Sequence, residues 1–100
     1  MIYCELSLDG QVKIYDMPDR LLLLVVSLES KARALPVPTT IDGAIEYIKT
    51  RCYQFECFET LTDFENWLED YNGFRVGEVR KEYCRLIERL DATTPVFSAA

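Results

Sequence analysis

The sequence predicts an α+β protein: a mainly antiparallel sheet of about four to five strands, packed on one face by about three helices. Three observations carry that reading. The N-terminal residues alternate between apolar and polar on either side of Asp9-Gly10, as a hairpin does. Leu21–Leu28 is a nearly unbroken apolar run. The rest of the chain holds segments whose apolar residues recur at helical spacing, separated by capping and turn residues.

The hairpin comes first. Ile2, Cys4 and Leu6 alternate with Tyr3, Glu5 and Ser7, and Val12 and Ile14 alternate with Lys13 and Tyr15. This is the period of half-buried strands. A two-residue turn at Asp9-Gly10 sets Leu6 against Lys13. A three-residue loop, Leu8-Asp9-Gly10 with the glycine left-handed, sets Leu6 against Val12 and Cys4 against Ile14. It also places Glu5 opposite Lys13 and Tyr3 opposite Tyr15, so one register satisfies both faces.

In Leu21-Leu22-Leu23-Leu24-Val25-Val26-Ser27-Leu28, seven of eight residues are apolar. The run neither alternates nor forms one stripe, so it calls for cover on more than one side. It is far shorter than the roughly 20 residues that span a bilayer. Its length and the Val25-Val26 pair predict a central strand, entered through the turn Met17-Pro18-Asp19. A buried helix is the alternative: Pro18 suits a first turn, leucine is a good helix former, and Glu29 and Arg33 stand i,i+4. As a strand in a two-layer domain, the run turns alternate members outward, and a second copy of the chain would cover them. Leu22, Leu24 and Val26 are the expected homodimer contacts.

Arg33–Pro38 carries two prolines and is expected to be an edge strand or an extended connection. Thr40 caps a helix over 40–52 whose stripe is Ile41, Ile45, Ile48 and Cys52. Tyr53, Phe55 and Cys57 alternate with Gln54 and Glu56 as a strand. Thr62 and Glu65 match a capping box opening a helix over 63–72, with Phe64, Trp67, Leu68 and Tyr71 on one face and Asn72-Gly73 as a left-handed stop. Val76, Val79, Tyr83, Ile87 and Leu90 mark a last helix over 76–91. Residues 1–92 form one domain, and 93–100 are expected to fray.

Composition narrows the function. The chain has 100 residues, 49% of them apolar, and a net charge of −6. That is globular, and it argues against binding nucleic acid or anionic membranes, both of which need a basic surface. No basic segment leads into an apolar one near Met1, so no signal peptide is read, and a small cytoplasmic protein is expected. Cys4, Cys52, Cys57 and Cys84 form no Cys-x-x-Cys pair, and the chain contains no histidine. The cysteines read as reduced small hydrophobes, with no metal or cofactor expected.

No nucleophile–base set and no glycine-rich phosphate loop is present, so the chain reads as non-catalytic. One stretch stands out. Cys52–Phe74 contains no lysine or arginine, but six carboxylates and seven aromatics. An acidic surface with aromatic anchors suits a basic protein partner. The residues expected to carry it are Glu56, Phe58, Glu59, Asp63, Glu65, Trp67, Glu69, Asp70, Tyr71 and Phe74. A plainer arrangement leaves the aromatics in the core and lets Glu65 and Glu69 pair with Arg85 and Arg89 of the basic row Lys81-Arg85-Arg89.

The chain thus resembles, in type and not by motif, the small acidic proteins used as toxin-immunity proteins, antitoxins and phage anti-defence inhibitors. The resemblance implies a stoichiometric inhibitor or adaptor. A housekeeping regulatory domain binding through its sheet edge is the alternative, and a small carboxylate-dependent enzyme a second.

Overall fold

The computed structural model describes residues 1–93. Two strands, β1 (Ile2–Leu6) and β2 (Val12–Asp16), are followed by helices α1 (Asp19–Ala32) and α2 (Ile41–Arg51), then β3 (Gln54–Phe58), α3 (Leu61–Asp70) and α4 (Val76–Thr93). The fold is α+β with an antiparallel sheet in the order β2-β1-β3. The expected tail begins where α4 ends, and from residue 94 it lies outside the described residues.

The hairpin takes the register read from the sequence: Leu6 faces Val12, Cys4 faces Ile14, and Tyr3 faces Tyr15. Its loop closes with the Gly10 N–H donating to the Ser7 carbonyl, 3.0 Å, and Gly10 sits at φ +88°. Asp9 holds the loop from within. Its carboxylate accepts from the Ser7 hydroxyl and the Gln11 N–H, which hold its pKa below the usual range, the hydroxyl contributing most.

Three expectations are corrected. Residues 19–32 are helix, not strand. Pro18, at φ −64° and ψ 148°, stands just before the first turn, and no proline or glycine interrupts the helix that follows. The Asp19 carboxylate accepts from the Tyr3 hydroxyl, 2.7 Å, tying that first turn to the sheet. Helix propensity wins because Val25 and Val26 cost only tenths of a kcal/mol each in a helix. The end is a Schellman motif: the Leu35 N–H donates to the Ser30 carbonyl and the Ala34 N–H to that of Lys31, with Ala34 at φ 55° in the place glycine usually takes.

The second correction follows from the first. Among the described residues the sheet has three strands rather than four to five, because 21–28 is helical and Arg33–Pro38 pairs with no strand. Third, helices cover both faces of the sheet. Ile2, Cys4, Leu6 and Ile14 pack with Phe64 and Leu68 of α3 and with Val79 and Leu86 of α4. Tyr3 and Phe55, on the other face, pack with Leu22 and Val26 of α1 and with Ala44 and Ile48 of α2. All of β1 is therefore buried, including Glu5, which is only 4% exposed.

Glu5 is reached by Arg51 at 3.3 Å, and Arg51 also meets Glu29 at 2.9 Å. Glu29 is thus engaged across helices rather than with Arg33. One guanidinium between two carboxylates answers the charge that β1 carries into the core.

Candidate functional site

The acidic stretch begins on the edge strand β3 and continues through α3. Thr60, not Thr62, caps α3: its hydroxyl accepts the Asp63 N–H at 3.1 Å. The cap lies two residues earlier than expected, so Glu65 is released from a capping role. It accepts instead from the Tyr83 hydroxyl of α4. That hydrogen bond, with burial and the carboxylate charge adding to it, pushes the Tyr83 phenol up to about 12.

The expected α3–α4 ion pairs are absent among the described residues. Arg85 pairs with Glu82 and Lys81 with Glu78, both within α4, while Arg89 donates to the Ile14 carbonyl at 2.8 Å.

Most of the expected aromatic anchors pack inward. Phe58 lies 5.2 Å from Phe64 and 5.3 Å from Trp67, and Trp67 lies 4.4 Å from Tyr71, measured between ring centres. These rings form the seam between β3 and α3 and flank the core, so Phe58, Trp67 and Tyr71 are half-buried. Glu56 is half-buried too and accepts from Gln54 at 3.0 Å.

What reaches the surface is narrower. Glu59, Asp63, Glu69 and Asp70 are exposed, and none has an ion pair among the described residues. Phe74 is 41% exposed and Tyr53 59%, with their rings 4.5 Å apart. Tyr53 is one of the seven aromatics of the stretch but not one of the residues expected to carry the contact. Its signal was its place before β3: the Tyr53 N–H donates to the Leu6 carbonyl, 2.8 Å, fixing the backbone beyond the end of the strand.

The turn between α3 and α4 sets this pair. The Tyr71 hydroxyl donates to the Phe74 carbonyl at 2.6 Å, and its ring lies over Gly73, where a Cβ would come within 2.7 Å. Gly73 is therefore required by the tyrosine, not by a left-handed stop. The positive φ falls at Arg75, φ 59°.

Glu69 and Asp70 occupy the last turn of α3, which holds no basic residue. Negative charge there opposes the helix dipole, at about 0.3–1 kcal/mol per residue. Exposed acid pair and exposed aromatic pair are thus separated by one locked turn.

Of the three residues expected to touch a second copy, Leu22 and Val26 lie in this chain's own core, and only Leu24 is exposed.

The cysteines are free thiols; Cys4 and Cys52 are buried, Cys57 is half-buried and Cys84 is exposed. Burial pushes the Cys4 thiol up to about 12 and that of Cys57 to about 11, which keeps both unreactive near neutral pH. Among the described residues no cluster of histidine, cysteine or carboxylate side chains is placed to hold a metal ion, and no helix is long and apolar enough to cross a membrane. No family model matches the chain, and neither a curated protein nor a solved structure matches it.

Proposed function

We propose that the chain is a non-catalytic protein-binding module that meets a basic protein surface through the C-terminal end of α3, acting as a stoichiometric inhibitor or adaptor of the immunity, antitoxin or anti-defence kind. The observation that carries this reading is Glu69-Asp70. Among the described residues these two carboxylates have no ion pair and oppose their own helix dipole, and a single turn leads from them to Phe74, whose exposed ring meets that of Tyr53. The arrangement is open to solvent. It supplies what a protein interface uses, apolar rings for affinity beside charge that speeds encounter.

The test is capture from a lysate of the source cell by the immobilised protein. One protein at near-equal stoichiometry is expected, with association slowing as salt screens the charges over about 8–10 Å. The Glu69→Lys, Asp70→Lys double variant should fold as well as the parent, since it removes two unfavourable dipole contacts, yet lose the captured protein. Equal capture by that variant overturns the proposal. The sheet-edge alternative now concerns β2 and β3 rather than Arg33–Val37, which pairs with no strand.

A further inference from the structure

Helix α1 is apolar on two sides. Leu22 and Val26 face the sheet, while Leu21, Leu24, Val25 and Leu28 stand away from it, 43–61% exposed. Their spacing is i, i+3, i+4, i+7, which makes one continuous ridge along the helix. A ridge of this kind on a surface helix marks a contact site.

The unpaired charges on this helix have one sign. The helix carries two acids and both are engaged, Asp19 by the Tyr3 hydroxyl and Glu29 by Arg51. Its two cations, Arg20 and Lys31, are exposed and have no acidic partner among the described residues. They lie about 16 Å apart along the axis, at either end of the ridge and within about 40° of Leu24 around it. In a chain of net charge −6, two cations without an acidic partner thus flank the ridge.

We infer that this face of α1 docks an amphipathic helical segment of a partner protein, whose apolar ridge lies on Leu21, Leu24, Val25 and Leu28 and whose acidic residues reach Arg20 and Lys31. The mode is helix against helix, read by anchors at the same spacing. A second copy fits less well. Antiparallel pairing of two α1 ridges sets Arg20 of one copy beside Lys31 of the other, and parallel pairing brings each cation level with its counterpart; neither supplies an acid. An anionic bilayer would answer the two cations but repel the acidic remainder of the chain. This surface lies on the opposite side of the sheet from α3, so it is separate from the surface proposed above.

The probe is a phage-displayed library of helices about 16 residues long, the reach from Arg20 to Lys31 and a little beyond. It is panned against the intact protein, with Leu24→Asp, Leu28→Asp as the first control. Both positions are exposed, and circular dichroism checks that the variant folds. Expected are recovered helices with apolar residues at i, i+3, i+4 and i+7 and acids towards both ends, at least ten-fold weaker on the aspartate variant. Panning against Arg20→Glu, Lys31→Glu should recover basic ends in their place. An empty selection, or binders indifferent to both variants, overturns the inference. Two further results overturn it in favour of another occupant. One is a doubled mass in light scattering that the aspartate variant returns to 11.6 kDa, showing a second copy. The other is co-sedimentation with phosphatidylserine-containing vesicles that the same variant abolishes, showing a lipid surface.

Discussion

Leu22 and Leu24 separate the two conformations that the run 21–28 offers. In a strand, residues two apart share a face. In a helix they stand about 200° apart. Here Leu22 is 2% exposed, in the cluster with Val26, Tyr3 and Ile48, and Leu24 is 54% exposed. Leu22→Ala removes buried methyl groups and leaves a cavity, at a cost of about 2–5 kcal/mol. Full burial of a leucine contributes about 1.5–3 kcal/mol, so the half-covered Leu24 contributes about half of that. Its truncation leaves no closed cavity, and alanine is the better helix former. Leu24→Ala should therefore cost no more than about 1 kcal/mol. With an m-value of about 1.5 kcal/mol/M in urea, the midpoint falls by about 1–3 M for Leu22→Ala and by no more than about 0.7 M for Leu24→Ala. Urea unfolding followed by far-ultraviolet circular dichroism measures both. Equal losses at the two positions would refute the helix and the exposed ridge with it, because only a strand makes them equivalent.

Further outcomes follow from single sites. Arg51→Leu strips Glu5 of the cation that reaches it in the core and should cost about 3–5 kcal/mol in the same assay, with part of the loss recovered by adding Glu5→Gln; a cost under about 1 kcal/mol would show the pair to be solvated. Ala34→Gly relieves an L-residue at φ 55° and should stabilise by about 0.5 kcal/mol, the left-handed penalty slightly exceeding glycine's entropy cost; a loss of stability would contradict the Schellman ending. Gly73→Ala pushes a methyl group into the Tyr71 ring and should cost about 1–3 kcal/mol, visible as a lower melting temperature. At alkaline pH the sign follows from Tyr83, whose phenol is raised from 10.0 to about 12. Its contribution is whole below pH 10 and is lost as pH rises towards 12, so Tyr83→Phe should flatten that part of the stability–pH curve.

Local rules made most of the fold legible. The hairpin register followed from requiring one loop to satisfy both faces, and Thr40 caps α2, its hydroxyl accepting the Gly43 N–H at 3.0 Å. The three later helices lie where their apolar spacing put them, although α4 buries Leu86 where Ile87 was expected. Helix α1 was misread for a physical reason. Periodicity reports which side chains avoid water, and four residues of α1 are apolar without avoiding it. The acidic stretch was misread in the opposite direction. Its aromatics looked like anchors because a linear window mixes the inner side of β3 with the inner side of α3, and the seam between them uses up Phe58, Trp67 and Tyr71. Both departures leave residues that the fold uses only in part: an apolar ridge about half covered within the chain, and an acid pair opposed to its own helix. Local sequence normally agrees with global structure, and natural chains break that agreement where something other than folding is selected. The ridge on α1 and the Glu69-Asp70 end of α3 are two places among the described residues where this chain breaks it, on opposite sides of one sheet, with unpaired charge of opposite sign. If both proposals hold, that separation would let one small domain engage an acidic helix on one side and a basic protein on the other, as an adaptor does; capture of both partners at once by the parent, and of one each by the α1 and α3 variants, is the outcome that checks it.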